Sequence, residues 1–120
     1  MLRGHGAPDE VGPAGAIAIV ELHDGAIAGA TLTADGFGVA TVDDAAPPPE
    51  SPAVEARALL RGARGARRAA VVMGAALILR AHGAVDLAAG AARAAAALED
   101  GAAWRVLERL ITLTHASVLA

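Results

Sequence analysis

Apolar residues follow two different rhythms along this chain. Residues 16–22, AIAIVEL, place Ile17, Ile19 and Val20 in a short run that reads as a mostly buried strand. Asp24-Gly25 follows, a dipeptide suited to a two-residue hairpin turn because both of its positions take positive φ. Residues 27–32, IAGATL, return as a weaker strand, loosened by Gly29. The stretch TADGFG then turns the chain out of the hairpin. A short strand at Leu2 and Arg3 is the least supported element of this half.

Beyond residue 50 the spacing becomes helical. Ser51-Pro52 offers a capping hydroxyl and then a proline at the first helical position, and this helix should run to about Leu60 and stop at Gly62. A second helix spans residues 66–81. It is apolar over most of its length and is expected to be central and buried, with Gly74, Ala75 and Ala76 permitting close approach. Gly83 ends it. Asp86 caps a third, alanine-rich helix through Leu98 that Gly101 stops. A fourth, from about Ala103 to His115, aligns Trp104, Leu107, Leu110, Ile111 and Thr114 in one largely apolar stripe.

Between the two rhythms lies DDAAPPPESP, where three consecutive prolines exclude a helix or central strand and leave a stiff extended connector. The expected organisation is therefore strands and hairpin over residues 1–42, connector over 43–52 and helices over 53–120. The fold class is α/β: a fragment of a mixed sheet with a β-hairpin followed by about four helices. A lone hairpin with open edges is marginal in water, so the pattern reads as the end of a larger α/β unit.

Composition sharpens this picture. Apolar residues make up 55% of the 120, yet there is one Phe, one Trp and no Tyr, so the core depends on close backbone packing among alanines. All ten basic residues are Arg. The absence of Cys excludes a disulfide framework, a thiol nucleophile and a thiolate metal site, and fits a cytoplasmic protein. The first residues lack the apolar core of a signal peptide, and the longest apolar run, residues 69–79, is far short of the ~20 residues that span a bilayer. Residues 1–50 hold one Arg and eight acids, and residues 51–120 nine Arg and five acids. The simplest expectation is that the basic half faces the acidic half. The run RGARGARR, residues 61–68, has no interleaved aromatics and reads as solvated helix ends, with Arg61 near a helix C-terminus. The acidic first half argues against nucleic acid as a partner. Trp104 reads as a core anchor, and the four His show no zinc spacing.

Residues 4–10, GHGAPDE, carry the candidate chemistry. Two adjacent loop carboxylates, Asp9 and Glu10, are either solvated acids or oxygen donors for a hard cation. His5 is open to the same alternatives, a ligand or phosphate contact on one side and a plain surface residue on the other.

The order of these motifs resembles the C-terminal part of the anthranilate phosphoribosyltransferase family. The resemblance rests on Glu21, Leu22, Asp24 and Gly25, then Leu32, Thr33, Phe37 and Gly38. It continues through the alanine-rich helix from Ala75 to Gly83, the start at Asp86-Leu87 and GAAWRVLERL from Gly101 to Leu110. It implies a transferase of tryptophan biosynthesis, a glycosyltransferase that moves phosphoribosyl from phosphoribosyl pyrophosphate to anthranilate. It also implies that Asp9 and Glu10 help bind Mg²⁺ with the pyrophosphate substrate. Where the family has Ser, Pro-Thr and a helix Asn, this chain has Gly12, Gly15-Ala16-Ile17 and Gly74. The family's Gly-Thr-Gly-Gly-Asp phosphate loop and its Lys-His-Gly-Asn-Arg type segment do not occur among the 120 residues. The chain is thus expected to match the last third of a typical member, to be inactive alone, and to work with the missing N-terminal part or a partner chain. The alternative is a non-catalytic, decayed or split relative acting as a protein-interaction module through its sheet edge.

Overall fold

The computed structural model describes residues 2–3, 11–40, 50–83 and 86–118. Three strands, β1 (Leu2–Arg3), β2 (Ile17–His23) and β3 (Ala26–Leu32), form an antiparallel sheet in the order β1-β2-β3. The hairpin turn falls at Asp24-Gly25 as expected, with φ of 48° and 80°, the paired positive values of a type I′ turn. A 3₁₀ turn over Ala34–Phe37 leads out of β3. Four helices follow: α1 (Pro52–Leu60), α2 (Ala66–Ala81), α3 (Leu87–Glu99) and α4 (Ala102–Val118). The α/β reading, with a hairpin and then four helices, matches this architecture. All pairings among the described strands are antiparallel.

The helix ends show which local signals acted. Asp86 caps α3 through its side chain, accepting from the Ala89 N–H at 2.7 Å. His82 caps the other end of α2, its Nδ1–H donating to the Ile78 carbonyl at 2.9 Å. Ser51 does occupy the N-cap of α1, but its hydroxyl makes no capping hydrogen bond; its carbonyl instead accepts from the Glu55 N–H at 3.1 Å.

The core gathers Val11, Ile17, Ile19, Ala34, Phe37, Leu59, Val72, Met73, Ala76, Ala91 and Leu98. Phe37, Ile17 and Met73 are its largest fully buried side chains. Its tightest contact joins α2 to α3. A Cβ placed on Gly90 would stand 3.1 Å from Ala76 Cα and 3.3 Å from Ala76 Cβ, so the helices meet backbone to backbone.

Burial departs from expectation in three elements. In β2, Ile17 and Ile19 are buried while Val20 and Leu22 are 39% and 72% exposed. Among the described residues, helices cover one face of the sheet, so the strand alternates. In α2, expected to be buried throughout, Val72, Met73 and Ala76 are covered while Val71 and Ile78 are exposed. The stripe on α4 is half-covered: Trp104, Leu107 and Ile111 are partly buried, and Leu110 and Thr114 face water.

Two substitutions test this account. Gly90→Val should destabilise the protein by about 1–3 kcal/mol, because the added methyls overpack the α2–α3 contact; thermal unfolding reads the loss. Asp86→Ala should cost about 1 kcal/mol by removing the α3 cap, and would be seen as a lower urea midpoint at unchanged slope.

Candidate functional site

The expected metal contacts Asp9 and Glu10, and His5 beside them, lie outside the described residues. What the structure fixes is the frame on either side of them. Arg3, at the end of β1, sits opposite Ala18 of β2. Val11, the residue after Glu10, is buried, with Cγ2 3.6 Å from where a Cβ on Gly74 would stand. Gly74 lies in the middle of α2, so the segment following the acid pair is seated on the helix that organises the core.

This seating explains two of the departures from the family pattern in physical terms. A side chain as long as Asn at residue 74 would have to displace Val11 or turn aside, and Gly74 lets Val11 pack instead. Ile17, where the family has a hydroxyl residue, is fully buried in the core. Apolar contacts therefore surround both positions. Among the described residues, no three His, Cys, Asp or Glu side chains gather as a metal site. The expected donor set, two carboxylates without nitrogen or sulfur, suits a hard ion such as Mg²⁺ that retains waters.

The motif acid Glu21 has a different task. Its carboxylate accepts two hydrogen bonds from Arg80, Nε–Oε1 at 2.7 Å and Nη2–Oε2 at 3.1 Å, tying β2 to the last turn of α2. These hydrogen bonds lower the Glu21 pKa from its ordinary 4.5; the smaller effect of desolvation opposes them, and the charges of Arg80 and His23 reinforce them. The same bonds raise the Arg80 pKa. The partners are 59 residues apart, and no local signal could have paired them.

The arginine run is dispersed into separate contacts. The Arg61 guanidinium lies 4.0 Å from the Trp104 ring centroid, joining the end of α1 to α4. Trp104 is thus a half-buried clamp rather than a core anchor, because α4 packs at the end of the helical layer and a cation covers its ring. Arg67 pairs with Glu55 of α1. Arg68 donates to Glu99 at 2.8 Å and to the Ala95 carbonyl at 3.3 Å. The expectation that the basic half faces the acidic half is met at Arg80–Glu21, whereas the Arg67 and Arg68 pairs close within the second half. No helix among the described residues is long and apolar enough to cross a membrane.

Residues 1–104 match the glycosyl transferase family, a/b domain, and the chain belongs to that family. Within it, the chain is similar to anthranilate phosphoribosyltransferases. It is 38% identical over 119 residues to that of Methylobacterium nodulans, covering 96% of this chain and 35% of the relative. To the enzyme of Desulforudis audaxviator it is 39% identical over 119 residues, covering 96% of this chain and 34% of the relative. To that of Rhodospirillum rubrum it is 38% identical over 120 residues, covering 97% and 35%. The chain therefore spans about a third of the length of the curated relatives it matches.

The Glu21–Arg80 pair predicts a pH effect of definite sign. A carboxyl whose pKa is lowered by folding adds stability above its unfolded pKa and loses it as pH falls through the folded value. The difference in melting temperature between the parent protein and Glu21→Gln should be full near neutral pH and shrink below about pH 4.5, the ordinary glutamate value. A difference that stays constant into acid would contradict the assignment.

Proposed function

We propose that this chain is the C-terminal portion of an anthranilate phosphoribosyltransferase. The complete enzyme would transfer phosphoribosyl from phosphoribosyl pyrophosphate to the amine of anthranilate, forming the C–N bond as pyrophosphate departs. The observation that carries this reading is the similarity to anthranilate phosphoribosyltransferases over nearly the whole chain, at 38% identity across 119 residues. The hairpin and helices lie in the order the resemblance calls for.

In this reading Asp9 and Glu10 are the metal contacts, two hard oxygen donors for Mg²⁺. The ion, when bound, neutralises charge on the departing pyrophosphate. The chain's own described residues supply the support: Val11 anchors the end of the acid segment on Gly74, and the Glu21–Arg80 fork holds the hairpin against α2. A glycine-rich phosphate cradle, central to holding a polyphosphate, is absent from the 120 residues. The chain alone is accordingly expected to have no turnover and to act with a polypeptide that supplies the cradle.

A second reading, a non-catalytic interaction module, is favoured by Ile17 and Gly74, which place core packing where the family has hydrogen-bonding groups. It is also favoured by Leu22 and Ile27, 72% and 76% exposed on neighbouring strands.

Ligand linkage separates the two. In the transferase reading, Mg²⁺ with pyrophosphate raises the melting temperature of the chain, and a combined Asp9→Ala and Glu10→Ala variant loses the shift. At ligand a hundred times the dissociation constant the stabilisation is about 2.7 kcal/mol. No shift at millimolar Mg²⁺ and pyrophosphate favours the module. Anthranilate consumption by the purified 120-residue chain would overturn the expectation that it is inactive alone.

A further inference from the structure

A hollow of about 400 Å³ lies between the 3₁₀ turn, the start of α2 and one face of α3. Its walls are apolar and shallow. Ala88, Ala91, Ala92 and Ala95 line it from α3, with Val72 and Phe37 beside them. The alanines recur at the spacing of one helix face, so they form a trough along α3. Phe37 is only 1% exposed and offers no open ring face for stacking. Such a trough suits a short aliphatic chain better than a planar ring.

Two guanidinium groups, Arg64 and Arg68, line the hollow, and among the described residues no acidic side chain lines it. One nearby carboxylate serves both: Glu99 Oε1 is 2.8 Å from Arg68 Nη2 and 4.0 Å from Arg64 Nη2. Among the described residues the two guanidinium groups therefore share one carboxylate and keep one positive charge in excess. Arg68 is largely withdrawn from water, its side chain 16% exposed, and its Nε is buried without an acceptor. Arg64 is 86% exposed and lines the same hollow. An apolar trough with a few convergent polar groups at one end is the usual form of a small-molecule site.

We infer that this hollow binds a short aliphatic carboxylate, its hydrocarbon tail along the α3 alanines and its carboxylate on the guanidinium of Arg64. The tail removes apolar surface from water against Val72 and the alanines. The carboxylate meets a cation whose share of Glu99 is the weaker one, and a charge-assisted bond to a planar guanidinium is the favoured pairing for that group. A neutral isostere keeps the first contribution and loses the second.

Titration of the purified chain with hexanoate and with hexanamide, followed by NMR or calorimetry, tests the assignment. Hexanoate should bind, and hexanamide should bind about tenfold more weakly. Arg64→Gln should weaken hexanoate by about five- to tenfold, an exposed charge being partly screened. Ala92→Leu, at an exposed position, should fill the trough and abolish binding while both arginines remain. Absence of hexanoate binding at millimolar concentration, equal binding of the amide, or binding unchanged in both variants overturns the site. Tighter binding of anthranilate than of hexanoate overturns it as well. Neither Mg²⁺ nor pyrophosphate enters these titrations, so their failure leaves the transferase reading untouched.

Discussion

Two helices can approach only as closely as the side chains between them allow, and in this protein Gly90 and Ala76 set that limit. Phe37 is the one aromatic among the buried core residues, so aromatic packing cannot carry the core. The core depends instead on α2 and α3 lying nearly backbone to backbone, where many small dispersion contacts accumulate. From that position α2 presents Val72 and Met73 to the core that includes Ile17, Ile19 and Phe37, and offers Gly74 to Val11. The same helix meets the 3₁₀ turn, seats the segment after the acid pair through Gly74, and holds the hairpin through Arg80.

Charge joins elements outside the core as well. The Glu21–Arg80 fork fastens the hairpin to α2, Arg67–Glu55 fastens α1 to α2, and Arg61 over Trp104 fastens α1 to α4. Each is a guanidinium contact at or near the surface, where individual pairs contribute little. Their distribution matters more than their number, since each joins a different pair of elements. The arginine bias of the composition is thus put to structural use, and the four arginines of residues 61–68, which read as solvated helix ends, are divided among contacts to α1, α3 and α4.

The candidate site was legible to a limited degree. GHGAPDE marks itself by its glycines and paired acids, but two loop carboxylates say nothing about a metal until a family resemblance gives them a context. The supporting residues were less visible still. Gly74 read as a helix-packing residue, and the structure shows the particular partner, Val11. Glu21 was quoted as part of a motif, while its role as the anchor for Arg80 needed the fold. The trough along α3 was hidden in a run of alanines that looks like low complexity, because only packing decides which face of such a helix stays open.

By itself the sequence determined the elements and most of their ends. Asp24-Gly25 fixed the turn, Asp86 fixed a cap, and glycines closed the helices, because these are short-range effects of backbone conformation and local hydrogen bonding. The tertiary structure decided burial and pairing. Ile17 and Val20 look alike in the chain, yet one is fully buried and the other 39% exposed, since a single helical layer covers one face of the sheet. Arg67 and Arg80 look alike as well, and one joins α1 while the other joins β2. Residues far apart in sequence meet only where the closest helix contact has already set the geometry, and no local pattern carries that distance.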